Sequence, residues 1–515
     1  MQQKVILRLL LCFFVAGIAL ESVASEHPPN LLIILADDLG YGDVGCYNPE
    51  AKVPTPHLER LATEGLRFTD AHSPATVCTP TRYSLLTGRM AFRTNRSRVF
   101  SGAGGPCLIE PQRLTLGGML QQHGYSTALF GKWHVRLTFY DHDGQPLHKG
   151  GLGPVKRIDY SRPIPDGPID RGFDKFFGTA CCPTTDWLYA YIEGDRIPEP
   201  PIRQHDRNVL PQNPYTGDCR DGMIAPNFAL EEVDLVFLKR SQKFLREHAE
   251  SQPDRPFFLL HSMQAVHLPS LPAKKFQDAT DAGPHGDFIH QLDWTVGQLM
   301  KTLDDLKLAD NTLVMFMSDN GPEVPTTIAM RRDHNHDGAR PWRGVKRDAW
   351  EGGHRTPLIM RWPNKIKPGT TSDEITSLTD VMATMAEIVE HRLPNDAAED
   401  SYSMLPVLLS QARDQPIRPY LLQQTWTSKL SIRRGDWKYL DHQGSGGNNY
   451  DKPSPWGMSD YKLPELDPSA PGQLYNLADD PGETANLYSK HPNLVAKLKA
   501  LLKQTMQTGR SAPSR

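Results

Sequence analysis

The stretch Leu31-Leu32-Ile33-Ile34-Leu35, which leads into Asp37-Asp38, decides the fold class of this chain. Unbroken apolar runs of this length are typical of strands buried on both faces of a mainly parallel sheet. Three more apolar runs also end in polar side chains: 127–130 before Lys132 and His134, 257–260 before His261 and His267, and 313–317 before Asp319 and Asn320. We therefore predict an α/β fold in which these runs are strands of one large sheet.

The segments between the apolar runs have helical periodicity and are predicted to flank the sheet. The predicted helices cover residues 57–64, 115–123, 233–250 and 288–306. Ligands of open α/β sheets bind beyond the carboxyl ends of the strands. A single polar residue at such an end is equally well explained as a helix cap or a solvated charge. Four polar ends together indicate one cleft assembled from distant parts of the chain.

Oxygen-bearing side chains dominate two of these strand ends. They are Asp37, Asp38, Asp319 and Asn320. Adjacent carboxylates repel one another unless a cation lies between them. Oxygen ligands suit Ca²⁺ or Mg²⁺, whereas zinc prefers cysteine and histidine. The alternative is that these residues cap two helices, but the occurrence of two such sites favours a metal centre.

The most informative short motif is Cys78-Thr79-Pro80-Thr81-Arg82. Pro80 suits the first turn of a helix, where its missing N–H costs nothing. Cys78 would then lie near the positive end of the helix dipole and beside the guanidinium of Arg82, and both features favour an anion. Taken alone, the motif is compatible with an inert buried thiol, a thiolate nucleophile or a site for an oxyanion.

Length and charge limit the classes of protein that this chain can belong to. With 515 residues it is too long for one simple core, so we expect a large domain over residues 26–405 and a smaller α+β domain over 406–515. In the latter, 430–437 and 438–440 predict short antiparallel strands and 493–507 predicts a helix. The 57 Lys and Arg residues nearly balance the 60 Asp and Glu residues, and no basic run is present, which argues against nucleic-acid binding.

The N-terminus has the pattern of an export signal. Lys4 and Arg8 form a basic start, and an apolar stretch follows over residues 9–20. Val23-Ala24-Ser25 then offers small residues for cleavage. The stretch suits a signal-peptide core and is shorter than the roughly 20 residues that span a bilayer. We expect residues 1–25 to be removed near Ser25, the protein to be periplasmic or secreted, and no integral membrane span to follow.

Residues Cys78 to Arg82 resemble the C-x-P-x-R signature of the type I, formylglycine-dependent sulfatases, members of the alkaline phosphatase superfamily. The similarity extends in the family's order over nearly the whole mature chain. The matching segments are 30–45, 115–134, 267–269, 318–321, 343–346, 350–357 and 474–487. The resemblance implies an arylsulfatase-like enzyme with an alkaline phosphatase-like fold, in which a large mixed, mainly parallel sheet is flanked by helices and a short antiparallel sheet follows.

The resemblance also implies the cofactors. In this family the cysteine of the signature is oxidised after translation to formylglycine, which identifies Cys78 as the modified residue and a formylglycine-generating or equivalent maturation enzyme as a partner. One calcium ion, preferred here over magnesium, would be bound at positions matching the family's ligands. These are Asp37, Asp38, Cys78, Asp319 and Asn320.

The implied reaction is hydrolysis of a sulfate ester to an alcohol and inorganic sulfate. Arg82 and Lys132 would steady the hydrated aldehyde, and one of its hydroxyls, deprotonated with help from Asp319, would attack sulfur to form a sulfo-enzyme intermediate. His267 and Lys346 would bind the sulfate, as would Lys132, and would protonate the departing alcohol.

His134 would then remove a proton from the second hydroxyl and so expel sulfate. Exported members of the family often act on sulfated polysaccharides, so we expect a sulfated carbohydrate or a related small molecule as substrate.

Several polar or aromatic residues receive no catalytic role. The cluster over residues 333–337 fits no zinc pattern and is a better candidate for a loop that determines specificity. Cys181-Cys182 is expected to form two independent thiols or to pair with separate partners. Trp187 and Tyr189 could stack on a sugar ring, but core packing is their default role.

Three alternative functions remain open at the level of sequence. A phosphomonoester or phosphonate ester hydrolase of the same superfamily would use the same cations. A non-catalytic carbohydrate-binding relative would have lost charged site residues, and none is lost. A thiolate enzyme that uses unmodified Cys78 would need a general base beside the thiol rather than a hard divalent cation.

Overall fold

The computed structural model of the protein describes residues 28–94, 98–100, 102, 104–451, 459 and 467–514. The predicted signal peptide and its cleavage site near Ser25 lie outside this part of the chain. No helix within the described part has the length and apolarity that crossing a bilayer requires.

The described residues form 20 strands and ten α-helices. The strands are β1 Asn30–Ala36, β2 Leu66–Phe68, β3 Ala71–His72, β4 Ser126–Lys132, β5 Phe139–Tyr140, β6 Pro146–Leu147, β7 Lys175–Thr179, β8 Leu188–Tyr189, β9 Ile192–Glu193, β10 Arg203–His205, β11 Gly222–Ile224, β12 Phe257–Ser262, β13 Thr312–Ser318, β14 Leu358–Arg361, β15 Thr370–Ser372, β16 Thr376–Ser377, β17 Leu421–Gln424, β18 Leu430–Arg434, β19 Trp437–Leu440 and β20 Gln473–Asn476. The α-helices are α1 Pro56–Thr63, α2 Cys78–Thr87, α3 Leu116–Gln122, α4 Leu152–Arg157, α5 Val233–Ser251, α6 Gly283–Asp305, α7 Val324–His334, α8 Asp380–Ile388, α9 Leu405–Leu408 and α10 Pro492–Gln507.

A nine-stranded sheet forms the centre of the molecule, in the order β15-β2-β14-β13-β1-β12-β4-β7-β9. The four strands predicted from their apolar runs are neighbours, β13-β1-β12-β4, and all three pairings among them are parallel. Every residue of β1 and β13 is buried, which explains their unbroken apolar sequence. Antiparallel β14 and β9 make the sheet mixed. The predicted fold class is confirmed.

The predicted helices flank this sheet with small changes at their ends. α1, α3 and α5 agree with the sequence-based bounds to within two residues. α6 starts at Gly283, earlier than predicted, because Pro284 occupies its first turn, where a proline costs no hydrogen bond. Strand β7 was not predicted, since its apolar pair Phe176-Phe177 is too short to be recognised.

Helix α2 begins at Cys78 with Pro80 in its first turn, as the motif predicts. All ten of its residues are buried, so the helix lies inside the molecule and not at its surface. It ends at Thr87 and is followed by Gly88, whose φ of 63° is readily adopted by glycine. This buried position carries the start of the helix to the carboxyl edge of the large sheet.

A second sheet, formed by β17 to β20, is antiparallel throughout and contains the predicted strand pair β18 and β19. Helix α10 covers one of its faces, where Leu498 and Leu502 pack with Ile432 and Tyr439. The predicted antiparallel strands and closing helix are therefore present.

Candidate active site

The carboxylates that follow β1 and β13 lie together because these parallel neighbours end at the same edge of the sheet. The backbone N–H of Asp38 donates to Oδ1 of Asp319 over 3.3 Å. Nδ2 of Asn320 donates to Oδ1 of Asp38 over 2.7 Å. These residues and Asp37 are at most 1% exposed. The four residues thus form one buried cluster of oxygen atoms.

Helix α2 places Cys78 and Arg82 one turn apart, and therefore on the same face. Nε of Arg82 lies 3.0 Å from Oδ2 of Asp319, and its Nη2 lies 3.4 Å from Oδ2 of Asp37. The thiol of Cys78 and one oxygen of each of these carboxylates all lie within 4.8 Å of one another. The start of the helix therefore joins the carboxylate cluster.

The end of β4 supplies two more predicted residues. Nζ of Lys132 makes a hydrogen-bonded ion pair with Oδ2 of Asp37. His134 adopts a φ of 56°, and its Nε2 lies 2.7 Å from the carbonyl oxygen of Phe100. Because a carbonyl oxygen only accepts hydrogen bonds, Nε2 carries a proton and Nδ1 points elsewhere.

His267 and Lys346 complete the set from two loops. Nδ1 of His267 donates to the carbonyl oxygen of Leu268 over 2.6 Å, and its Nε2 lies 3.8 Å from Oδ2 of Asp38. Nζ of Lys346 donates to Asp38 over 2.7 Å. The structure thus brings together every site residue that the sequence predicted.

The carboxylate cluster fits a hard divalent cation. Oδ1 of Asp37 and Oδ1 of Asn320 are buried without a hydrogen-bond partner among the described residues. A buried polar oxygen left unpaired is costly, whereas a cation that it ligates satisfies it. The donor atoms around these two oxygens are carboxylate and amide oxygens, the ligands that Ca²⁺ prefers. The residues present therefore fit the ion that the sequence predicted.

Burial and neighbouring charges separate the proton affinities of the site residues. Burial opposes ionisation of Asp37, but Lys132 and His267 outweigh it and lower its pKa to about 2. Burial and the nearby Asp37 raise the pKa of Asp319 to about 6. Burial and Lys346 disfavour the charged form of His267, but Asp38 and other anionic groups outweigh them and raise its pKa to about 10. Neighbouring charges thus favour the ionised carboxylate of Asp37 and the protonated imidazole of His267.

Cys182 is a site residue that the sequence analysis missed. Its Sγ lies 3.8 Å from Nδ1 of His134 and 3.8 Å from Nε2 of His267. Burial opposes ionisation of this thiol, but hydrogen bonds from Cys181 and Cys78 hold its pKa well below the ordinary value. The signal that could have found it is strand β7, which pairs with β4 and leads into Cys181-Cys182 at the same edge of the sheet. Both cysteines are free thiols.

A cavity of about 350 Å³ opens above these residues. Its lining contains predicted site residues and others that the sequence did not reveal. The latter are Val77, Val99, Cys182, Thr185, Asp186, Asp218, Arg220, Glu323, Arg347 and Trp426. They come from loops with no strong pattern of their own, so only the folded chain brings them to the cavity.

The remaining candidate residues have other surroundings. Residues 333–337 are not part of this cavity lining, and Nε2 of His336 pairs with Oδ1 of Asp43 over 2.8 Å. His336 is buried in the protein, and the expectation of a specificity loop over residues 333–337 stays a prediction. Tyr189 is fully buried, as core packing requires. Trp187 instead stacks under the guanidinium of Arg220, 4.7 Å from the ring centre.

Comparisons with known proteins identify relatives of this chain. The family model described as Sulfatase matches residues 29–391. The chain is 32% identical to an N-acetylgalactosamine-6-O-sulfatase of Bacteroides thetaiotaomicron, with 93% of each chain covered. It is 31% identical to human arylsulfatase A, with 96% of this chain and 90% of that protein covered.

Solved structures give the same result. A structure from work on the metabolism of multiple glycosaminoglycans by Bacteroides thetaiotaomicron has a TM-score of 0.77 at 30% identity and covers 93% of this chain and all of that one. The PsFucS1 sulfatase from Pseudoalteromonas sp. has a TM-score of 0.70 at 25% identity, with 95% and 92% covered. The chain belongs to the sulfatase family. It is a hydrolase of sulfuric esters.

Proposed function

We propose that this sulfatase removes sulfate from a sulfated carbohydrate, using formylglycine made from Cys78 and one bound calcium ion. The observation that carries the proposal is the convergence of Cys78, a cluster of acidic and amide oxygens and several cations on one buried cavity. An anionic ester needs cations that hold its charge in the transition state, and these must be fixed in place before reaction. Arg82, Lys132 and Lys346 meet that requirement because each is held by a carboxylate.

The calcium ion would be held by the oxygen cluster together with the modified residue 78. Its ligands would be Asp37, Asp38, Asp319, Asn320 and position 78. When bound, the ion supplies positive charge that polarises sulfate oxygens. The two unpaired buried oxygens, Oδ1 of Asp37 and Oδ1 of Asn320, support this assignment.

Formylglycine in its hydrated form supplies two hydroxyls, one as nucleophile and one through which sulfate is released. Around it, Arg82 and Lys132 hold the negative charge of the hydroxyls and the sulfate. The carboxyl of Asp319, which lies beside position 78 and is held by Arg82, accepts a proton. His134 accepts the second proton at Nδ1, since its Nε2 proton is engaged by Phe100.

Protonation of the leaving alcohol falls to His267, with Lys346 beside it. Nδ1 of His267 is fixed by the carbonyl of Leu268, so Nε2 is the atom that donates into the cavity. The raised pKa of His267 keeps this proton in place at neutral pH. Both residues, with Lys132, would also bind the sulfate group.

A carbohydrate substrate is supported by the mouth of the cavity. Trp426 is 38% exposed and lines it, and an exposed indole offers an apolar face to a sugar ring. Arg220 and Arg347 line the same cavity, each paired with a carboxylate, and offer guanidinium N–H groups to sugar or sulfate oxygens. A relative 32% identical to this chain is an N-acetylgalactosamine-6-O-sulfatase, which favours an amino-sugar sulfate.

The proposal also includes processing of the chain. Residues 1–25 would direct export to the periplasm or the exterior, with cleavage near Ser25, and a formylglycine-generating or equivalent enzyme would act on Cys78. Residues 26–405 would form the catalytic domain and 406–515 the smaller α+β domain.

The decisive experiment is mass spectrometry of the peptide that contains Cys78, with turnover assays on the same sample. We expect the mass of the aldehyde, and we expect Cys78→Ala to abolish turnover while Cys46→Ala retains it. A stoichiometric free thiol in active enzyme would contradict the proposal. Paired assays with sulfate and phosphate monoesters test the reaction class, since a much larger rate on phosphate would favour a phosphoester hydrolase.

A further inference from the structure

A second group of metal-ligating side chains lies beside the carboxylate cluster. Nδ1 or Nε2 of His134 and Sγ of Cys181 and Cys182 lie within 4.8 Å of one another, and all three residues are buried. These atoms are nitrogen and sulfur, whereas the carboxylate cluster offers oxygen. Thiolate and imidazole ligands select zinc over calcium. The donor atoms of the two neighbouring groups therefore suit different cations.

The imidazole of His134 is oriented as a metal ligand is. Its Nε2–H donates to the carbonyl oxygen of Phe100 over 2.7 Å. Metal-ligating histidines commonly donate their other ring N–H to a carbonyl or carboxylate, which fixes the tautomer and the ring. In His134 this leaves the lone pair of Nδ1 directed at Sγ of Cys182, 3.8 Å away.

The spacing of these atoms is close to what zinc requires. With Zn–S of about 2.3 Å and Zn–N of about 2.0 Å, tetrahedral ligands lie about 3.5 Å apart for a nitrogen and a sulfur. The observed 3.8 Å between Nδ1 of His134 and Sγ of Cys182 needs only a slight contraction. In the ion-free protein the thiol of Cys181 donates to the same carbonyl oxygen of Phe100 over 3.4 Å, which places it beside His134. Zinc binding would displace this thiol proton to solvent.

The charge of a divalent ion there must be balanced by the two cysteines, because protonated His267 lies 3.8 Å from Sγ of Cys182. Two thiolates neutralise Zn²⁺ without a carboxylate ligand. Asp186 holds the loop that follows β7 in place. Its carboxylate accepts a hydrogen bond of 3.0 Å from the backbone N–H of Cys182 and pairs with Arg220 at 3.2 Å. Because Cys182 and His134 line the cavity, an ion can reach them from solvent.

We propose that His134, Cys181 and Cys182 form a zinc site that overlaps the catalytic cavity, and that zinc bound there reversibly inhibits the enzyme. Zinc occupies Nδ1 of His134 and so removes the proton acceptor that sulfate release requires. The inhibition rests on the proposed role of His134. The binding itself rests only on the ligand geometry.

Binding is tested with Co²⁺ as a spectroscopic substitute for zinc, in calcium-loaded Cys78→Ala protein, which lacks the third thiol of the cavity. We expect one Co²⁺ per chain with a thiolate-to-cobalt charge-transfer band that zinc abolishes. Cys181→Ala and Cys182→Ala in the same background should each weaken zinc binding on the order of a hundredfold. Cys46→Ala, which changes a thiol away from the cavity, should bind zinc unchanged.

The binding assignment is overturned by an absent charge-transfer band in correctly folded Cys78→Ala protein, or by equal zinc affinity in the Cys46 and Cys181 variants. Because the binding measurements need no turnover, their failure is distinct from failure of the proposed hydrolysis.

Inhibition is tested in mature enzyme by zinc titration followed by addition of a chelator selective for zinc over calcium. We expect loss of activity with one bound zinc and full recovery on chelation. Relative to its own zinc-free rate, Cys181→Ala enzyme should need on the order of a hundredfold more zinc, whereas Cys46→Ala should respond like the unaltered enzyme. Stoichiometric zinc binding with undiminished turnover would overturn the inhibitory role.

Discussion

Each buried carboxylate of the site has its own cation, and this pairing explains how so many charges are buried together. Asp319 pairs with Arg82, and Asp37 pairs with Lys132. Asp38 pairs with Lys346. An unpaired buried charge costs several kcal/mol, so removal of one partner strongly destabilises the folded protein. The same pairs hold the two lysines and the arginine in fixed positions beside the carboxylates.

His267→Gln tests the proton donor for the leaving alcohol. We expect its turnover of a sugar sulfate to fall by about 10²–10⁴-fold, because an unactivated alcohol must be protonated as it leaves. Turnover of nitrophenyl sulfate should fall far less, since that leaving group is stable as an anion. Steady-state rates with the two substrates measure the difference.

The control for this prediction is His261→Gln. His261 is also buried, on β12, but its Nδ1 lies 2.8 Å from Oγ of Ser241, and it is not in the cavity lining. His261→Gln should change the turnover of the sugar sulfate and of nitrophenyl sulfate by the same factor. Equal losses on both substrates in His267→Gln would contradict the role as acid.

Asn320→Ala tests the calcium site. A ligand that binds only the folded state raises stability, so calcium removal should lower the melting temperature of the unaltered protein. The variant should need on the order of tenfold more calcium for the same stabilisation and for activity. Calcium titrations of the melting temperature measure this. Asn311→Ala, which changes an exposed residue just before β13, should behave like the unaltered protein, and an equal response of all three proteins would contradict the assignment.

At the level of the elements, the site is built from the ends of strands and helices. β1, β4 and β13 deliver side chains where they end, and α2 and α7 deliver them where they begin. Glu323 caps α7, with its side chain accepting a hydrogen bond from the N–H of Val324, and it also pairs with Arg347. One carboxylate thus joins a helix start to the cavity lining.

Glu323→Gln tests this connection through its pH dependence. Burial opposes ionisation of Glu323, but Arg347 and Lys346 outweigh it and lower its pKa from 4.5 to about 2. Because the folded-state pKa lies below the unfolded one, the charged pair stabilises the fold above pH 4.5, and that stability is lost as the pH falls toward 2. The variant should be less stable by about 1–3 kcal/mol at neutral pH, and the difference should shrink with acidification.

Denaturant unfolding of both proteins at a series of pH values measures this difference. The control is Glu50→Gln, an exposed carboxylate paired with exposed Arg340. It should change the free energy of unfolding by less than about 0.5 kcal/mol at every pH. A difference for Glu323→Gln that stays constant on acidification would contradict the prediction.

At the level of the whole molecule, the C-terminal sheet contributes to both stability and the cavity. Trp426, which follows β17, lines the cavity mouth. Arg433 of β18 reaches Asp70, with Nη1 2.8 Å from Oδ1 and Nη2 2.7 Å from Oδ2. Lys438 of β19 lies 2.9 Å from Glu351 and from Glu483. Buried ion pairs thus connect this sheet to the elements around the large sheet.

Arg433→Ala tests that connection. It leaves the buried carboxylate of Asp70 with weaker compensation, so we expect a loss of about 3–5 kcal/mol in the free energy of unfolding. Arg434→Ala, the next residue on the same strand but exposed, should change it by less than about 0.5 kcal/mol. Denaturant unfolding measures both, and similar values for the two variants would show that the buried pair contributes little.

The predictable part of this protein is the part written in local sequence. Unbroken apolar runs predicted β1, β4, β12 and β13, because strands buried on both faces cannot carry polar residues. The first turn of α2 followed from Pro80. Short β7 was missed because two apolar residues do not make a pattern, and with it the position of Cys182. Arg220, Glu323 and Trp426 were missed because their loops reach the cavity only in the folded chain.

The sequence by itself determined the family, the central parallel strands and the candidate residues of the site, since these depend on residue type and local order. Only the tertiary structure decided which of these side chains are neighbours in space. It placed Leu31–Leu35 between β12 and β13, so that Asp37 and Asp38 meet Asp319 and Asn320. It also brought Cys182 between His134 and His267. Such contacts join residues far apart in the chain, and close packing of the folded molecule, which no local pattern encodes, creates them.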